Sequence, residues 1–223
     1  MAVITISRES GAKGSYIGRK LAERLKYLYV DRETIHEVSL EYGVGQDEFE
    51  HIYEHAPGLL ERYGHRNREI VQLIGRVIQG LARRDNVVIV ARDAFATLRE
   101  YRDVLNVRVA ARRRIRAGRI QQEHDLNPKQ ARAMLDRLDG ERSKYVGAYY
   151  GLDWADAALY DVCVSTSKLA PDQMIDFIVQ GLSLLEENSD SEHPLVREVD
   201  ADPILDRAID EALSLLEATG RMV

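Results

Sequence analysis

Hydrophobic positions along the chain fall into two rhythms. Short apolar runs occur at Val3-Ile4-Thr5-Ile6, "YLYV" (27–30), "VVIVA" (87–91), "VLNVRVA" (104–110) and "DVCVST" (161–166). Between them lie longer stretches in which apolar residues recur every three or four positions. The first rhythm predicts short strands, continuous where both faces are covered, and the second predicts amphipathic helices. Tyr16 to Tyr27 carries Ile17, Leu21, Ala22 and Leu25 at helical spacing. Arg32 to Arg84 reads as helix in three pieces, punctuated by Gly43, Gly45, Pro57, Gly58 and Gly64. Further helices are predicted near 112–123, 128–146, Pro171 to Glu187 and 203–218. Asn127 is the expected cap of the second of these, with Pro128 in its first turn. Strands alternating with helices predict an α/β fold, a parallel sheet covered by helices on both faces. The polar segment "ENSDSEHP" then divides a domain at 1–187 from a linker and amphipathic C-terminal helix at 188–223.

A chain of 223 residues with 45% hydrophobic content fits one such domain with an appendage. No run approaches the roughly 20 apolar residues of a membrane span, and no basic-then-apolar leader precedes the first strand. The lone Cys163 excludes an internal disulfide. It fits a reducing cytoplasm, and its apolar run predicts a core position. Charge changes the picture more. Arg108 to Lys144 holds eleven Lys/Arg against five Asp/Glu, whereas Glu186 to Val223 holds three against eleven. A basic middle in a chain of net charge −6 predicts a local anion site. The arginines are not interleaved with aromatic residues as a stacking platform requires, so no nucleic-acid partner is expected. His51 and His55 form an i, i+4 pair, but without a carboxylate set they read as surface residues. The wide apolar stripe of the C-terminal helix predicts that it docks, on its own domain or on a second copy.

The candidate chemistry begins at "SRESGAKGSYIG", residues 7–18, between the first strand and the first helix. A phosphate-binding loop needs a tight backbone turn, a lysine that reaches the phosphates, and a hydroxyl at the next helix start to hold magnesium. Lys13 and Ser15 suit the last two parts, and Gly11 and Gly14 supply backbone freedom. Against the pattern G-x-x-G-x-G-K-G-[ST] of nucleoside monophosphate kinases, Ser7, Ser10 and Ala12 stand where glycines usually do. The competing reading is an ordinary strand-to-helix turn with a solvated lysine.

Several segments, in order, resemble the cytidylate kinase-like family: "ITISRESG", "YVDRETI", Ala91-Arg92-Asp93 within "VVIVARDAFATL", "VRVAARRRIRAGRI" with Arg116 and Arg119 at R-x-x-R spacing, and "LDGERSKYVGAYYGLDWADAALYDVCVSTSKL". The resemblance spans about residues 3–187. It implies a P-loop kinase fold with a five-stranded parallel sheet, a helical acceptor-binding insert at about 32–86 and a lid at about 112–150. It also implies ATP-dependent phosphoryl transfer to a nucleoside monophosphate, CMP or dCMP first, with Mg2+. ATP would lie on Ser10, Gly11, Ala12, Lys13, Gly14 and Ser15, with Ser15 on the metal. Arg92 would bind the acceptor phosphate, Asp93 the cytosine or sugar side, and Asp31 would belong to the acceptor site. Arg116 and Arg119 would close on the ATP side, while Arg137 and Arg142 would span both phosphates. Phosphoryl transfer is mostly positioning and electrostatic stabilisation, which suits permanently charged, planar guanidinium groups.

Each residue has a plainer reading. Arg92 and Asp93 could be a strand-end ion pair, Asp31 a helix cap, and Arg112 to Arg114 a solvated helix face. Tyr149, Tyr150 and Trp154 could pack instead of stacking on a base. Asp31-Arg32-Glu33 also replaces the Asp-Ser-Gly opening of the family's acceptor site. A kinase of another small acceptor, or a non-catalytic nucleotide-binding module, therefore stands beside the first reading.

Overall fold

The computed structural model describes residues 2–54, 65–187, 192–200 and 202–218. Pro57, Gly58, Gly64, His55 and the middle of the "ENSDSEHP" segment lie outside these residues. In chain order the elements are β1 (Val3–Arg8), α1 (Gly14–Leu25), β2 (Leu28–Val30), α2 (Arg32–Glu41), α3 (Gln46–Glu54), α4 (His65–Ala82), β3 (Val87–Ile89), α5 (Ala94–Leu98) and β4 (Val104–Ala110). Then follow α6 (Arg113–Glu123), α7 (Pro128–Tyr150), β5 (Val162–Ser165), α8 (Pro171–Glu187) and α9 (Pro203–Ala218). The five strands form one parallel sheet in the order β2-β3-β1-β4-β5.

Alternation along each strand divides the core. Val3, Val87, Ile89 and Val104 face one layer with α2, α3, α4, α5 and α9. Ile4, Ile6, Val88, Val90, Val107 and Val109 face the other, where α1 and α8 bring Ile17, Leu21, Ile175 and Ile178. Both faces are covered, so the apolar runs are continuous. The α6–α7 pair keeps a small cluster of its own, Ala117, Ile120, Ala131 and Leu135.

Local chemistry sets the helix starts. The Asn127 side chain accepts from the N–H groups of Lys129 and Gln130, and Gln130 returns a bond to the Asn127 N–H. α7 runs to Tyr150, four residues beyond the predicted 146, and ends on Gly151 in left-handed geometry. α5 was not expected, since five residues carry too little periodicity to register.

Cys163 departs from its predicted core position, being exposed on β5. β5 is an edge strand, so a β-rich apolar run there does not guarantee cover on both faces. α9 docks on its own chain. Leu205, Ile209 and Ala212 join the α2–α4 layer, Arg83 pairs with Asp206, Arg84 with Asp210, and Tyr42 donates to Asp202.

Candidate active site

The site lies at the C-terminal ends of β1 and β3, the end where open parallel sheets bind ligands. β1 stops at Arg8, and the chain turns through Glu9–Lys13 before α1 begins. The Glu9 N–H donates to the Val109 carbonyl at 3.0 Å, and the Ala12 N–H closes the turn on the Glu9 carbonyl at 3.1 Å. Gly11 (φ 74°) and Lys13 (φ 67°) are both left-handed. For lysine this conformation costs about 1–2 kcal/mol, and turns of this kind gather N–H groups into anion-binding hollows. Ile17 is the first α1 residue whose N–H reaches a carbonyl, that of Lys13 at 3.0 Å. No side chain caps the helix start, and no acidic residue occupies its first turn. A 12-residue helix therefore presents open N–H groups and its positive end at the loop.

The atypical loop residues do not crowd that hollow. Ser7 is buried, and its Oγ accepts from Trp154 Nε1 at 2.8 Å. Ala12 is buried in the α1–α8 layer, and its carbonyl accepts from Thr166 Oγ1 at 3.0 Å. Both small side chains serve the protein interior. Gly14 has a different constraint: a Cβ there would lie 2.3 Å from Arg8 Cβ, so its absence lets the Arg8 side chain leave the loop.

Two cavities, each of about 320 Å³, adjoin this turn. The first is lined by the loop, including Ser10, Gly11, Lys13, Gly14 and Ser15, together with Arg8, Glu123 and Arg142. Lys13 Nζ lies 3.9 Å from Glu123, an exposed pairing. The second is lined by Arg8, Arg32, Tyr53, Val90, Ala91, Arg92, Arg137, Leu138, Glu141 and Arg142. Arg8 and Arg142 belong to both.

This second cavity is strongly cationic. Arg8 Nη1 donates to the Ala91 carbonyl at 2.8 Å, and Arg142 Nη1 donates to the Arg8 carbonyl at 2.6 Å. Arg92 sits over the rings of Tyr53 and Tyr145 at 5.4 and 5.3 Å. Its Nη1 and the Nε of Arg142 are buried and meet no acceptor. Burial lowers Arg8 from the usual arginine value, and the charge of Arg92 adds to the effect. Arg142 is pushed down to about 9 by burial, then by the neighbouring charges of Arg8 and Arg92. Crowded guanidinium groups with unmet donors form a seat for an anion.

The structure separates the sequence-predicted residues into groups. Ser10, Gly11, Lys13, Gly14, Ser15 and Arg142 line the loop cavity, and Arg92, Arg137 and Arg142 line the second. Ala12 lies in the core beneath the loop. Arg137 is exposed and bonded to Glu141 at 3.2 Å. Arg116 and Arg119, expected to close on ATP, line neither cavity. Arg116 Nη1 donates to the Ser10 carbonyl at 3.1 Å and pairs with Asp139, while its Nε lies 3.1 Å from Glu9. Arg119 donates to the Gly11 carbonyl at 3.1 Å and to Thr166 Oγ1 and O, both at 2.9 Å. Both engage loop carbonyls, which turn outward when the N–H groups face the hollow.

Asp93 lies behind the second cavity. It is fully buried, and its Oδ2 accepts from the hydroxyls of Tyr145 (2.9 Å) and Tyr150 (3.0 Å). Burial raises its carboxyl above the usual range, and the two tyrosine bonds oppose this. Asp31 caps α2, accepting from the N–H groups of Glu33 and Thr34, and it does not line the cavity. Trp154 is buried, with Arg108 4.5 Å over its ring. Arg113 pairs with Asp136 in an exposed contact. Arg8, Arg32 and Tyr53 were not anticipated as cavity residues. The available signal was an arginine at the end of the strand that feeds the loop. Among the described residues, no cluster of His, Cys, Asp or Glu could hold a metal ion, and no helix is long and apolar enough to cross a membrane.

Comparison with known proteins agrees with this geometry. The cytidylate kinase-like family matches residues 3–168. A cytidylate kinase from Halobacterium salinarum is 25% identical over 194 residues, covering 84% of this chain and 93% of that one. One from Ignicoccus hospitalis is 28% identical over 181 residues, covering 80% and 97%. In three dimensions the chain resembles an uncharacterized protein from Eubacterium ventriosum (TM-score 0.66, 21% identity, 82% and 99% covered). It also resembles a gluconokinase from Sinorhizobium meliloti (TM-score 0.50, 16% identity, 84% and 94% covered). The five-stranded parallel sheet, the glycine-bearing turn into α1 and the family match converge on one assignment: the chain belongs to the cytidylate kinase-like family and has the P-loop kinase fold.

Proposed function

We propose that this protein transfers the terminal phosphoryl group of ATP to the phosphate of a nucleoside monophosphate, CMP or dCMP first. The observation that carries the reading is the pair of adjoining cavities that share Arg8 and Arg142. One is built like a triphosphate site and the other like a seat for a phosphate ester. Lys13 and the first-turn N–H groups of α1 would hold the donor phosphates, with the helix dipole in support. The exposed Ser15 hydroxyl fits a magnesium ion that takes its other ligands from phosphate oxygens and water. The magnesium would neutralise phosphate charge. Arg92 would fix the acceptor phosphate, and Arg142 would face both substrates. The α6–α7 pair, with its separate apolar cluster, is suited to move as a lid and exclude water.

A second reading keeps the transfer and changes the acceptor to another phosphorylated small molecule. The enclosure of Asp93 favours it, because the residue expected to read a base or sugar is held by two tyrosines. The discriminating experiment is ADP release from Mg·ATP with a panel of nucleoside monophosphates, beside Lys13→Ala. Turnover of CMP or dCMP that the variant loses supports the first reading. ATP binding without turnover of any nucleotide favours the second reading or a non-catalytic module. Absence of ATP binding overturns both kinase readings.

A further inference from the structure

We propose that Arg8 is a catalytic residue, the guanidinium that stays on the phosphoryl group as it crosses from the loop cavity to the second cavity. The inference rests on the two-cavity reading above. Lys13 reaches the loop cavity from the start of α1, and Arg142 reaches it from α7. Arg8 instead rises from the floor, where β1 ends, and lines both cavities. Its path is fixed from both directions. The Ala91 carbonyl on the neighbouring strand end accepts from Nη1, and Gly14 leaves the room that a Cβ 2.3 Å from Arg8 Cβ would fill. Burial beside Arg92 depresses its affinity for a proton, so an arriving anion relieves an unfavourable arrangement.

The chemistry balances without a proton donor or acceptor. The bond between the terminal phosphorus of ATP and its bridging oxygen breaks, and ADP departs with the electron pair. An oxygen of the acceptor phosphate, already ionised at neutral pH, forms the new bond to phosphorus. What the transfer needs is fixed positive charge beside the oxygens of the moving group. A floor guanidinium common to both cavities supplies it at the start, the middle and the end. It also gives Gly14 a purpose beyond backbone freedom, making way for a side chain.

The test uses the full chain with Arg8→Gln and Arg8→Lys. Kinetics should show kcat falling by about 100-fold or more in Arg8→Gln, as for loss of one preorganised donor, with smaller changes in the KM of ATP and acceptor. Arg8→Lys should recover only part of kcat, since it restores charge without the planar fork. Calorimetry with inorganic tripolyphosphate supplies a readout independent of turnover. The wild type should bind it, and Arg8→Gln should bind about 30-fold more weakly. Equal melting temperatures would establish that the variants fold. A folded Arg8→Gln with kcat within about threefold of wild type overturns the proposal. So does a wild type that fails to bind tripolyphosphate, or an Arg8→Gln that binds it equally well. If the wild type phosphorylates no acceptor yet binds tripolyphosphate through Arg8, the shared anion seat is supported and the nucleoside monophosphate kinase reading fails.

Discussion

Two sets of arginines meet at the loop, and they are held in opposite ways. Arg116 and Arg119, on α6, point at the back of the turn, where carbonyls from Ser10, Gly11 and Thr166 and carboxylates from Glu9 and Asp139 absorb their charge. Arg8, Arg92 and Arg142, at the strand ends and on α7, line the cavities, where their charges crowd one another, Asp139 stands 3.9 Å from Arg142, and Arg92 Nη1 and Arg142 Nε meet no acceptor. Residue type is the same in both sets, but the first braces the loop and the second lines the two cavities. A well-paired buried charge is costly to break, whereas crowded guanidinium groups with unmet buried donors mark a candidate binding site.

Arg116→Met should separate the sets most sharply. It removes the guanidinium that bridges Glu9 and Asp139, which keep as cationic partners Arg108 at 3.5 Å and Arg142 at 3.9 Å respectively, and a loss of about 3 kcal/mol in unfolding free energy is expected by urea titration. Arg92→Met should do the reverse. The acceptor KM should rise about 30-fold or more, while unfolding free energy stays within about 1 kcal/mol of wild type, because relief of a buried unmet donor offsets the lost ring contacts. If Arg92→Met proves the more destabilising of the two, the division between the sets collapses.

Gly14→Ala probes the link between loop and floor. Crowding Arg8 should cost about 1–3 kcal/mol in stability and abolish most turnover, read by thermal melting and steady-state kinetics. Ser7→Gly restores the usual glycine and should not raise activity. It should instead cost about 1–2 kcal/mol, because the buried Trp154 N–H loses its acceptor.

The smallest effect is pH dependence. With Arg142 at about 9 in the free protein, tripolyphosphate binding should weaken as pH rises through about 9, and binding there should take up protons, measured by calorimetry in buffers of different ionisation enthalpy. The stability term has the opposite sign. The penalty of the buried charge is fully present below about 9 and is relieved above it, where the folded chain releases the Arg142 proton before the unfolded chain does.

Most of the fold was legible because it rests on local rules. Apolar runs gave the five strands, and Asn127-Pro128 gave the start of α7. The loop was legible as a turn between a strand and a helix. The direction each arginine takes was not, because it depends on partners far away in sequence. Arg119 meets Thr166, and Arg116 meets Glu9 across the sheet end. R-x-x-R spacing puts two arginines near one helix face but does not say whether carbonyls or a cavity await them. The surroundings of Asp93 were illegible for a similar reason, since the tyrosines that enclose it come 52 and 57 residues later. Arg8 was passed over because loop patterns direct attention to glycine, lysine and serine.

The register of β1 on β3 has a further consequence. Thr5 pairs with Ile89, where β3 ends, and three residues farther on come Arg8, the last residue of β1, and Arg92, in the bend that leads to α5. The bond from Arg8 Nη1 to the Ala91 carbonyl, 2.8 Å, ties the two strand ends together just before Arg92. The remaining walls come from elsewhere: Arg32 and Tyr53 from α2 and α3, and Arg137 and Leu138 from α7. Two of the cavity's charges thus spring from the end of the sheet, while its other walls hang on separable pieces of chain. Such a division permits interchangeable parts. Grafting the α2–α4 segment of a relative onto this sheet would replace Arg32 and Tyr53 in the cavity wall and leave Arg8 and Arg92 where they are.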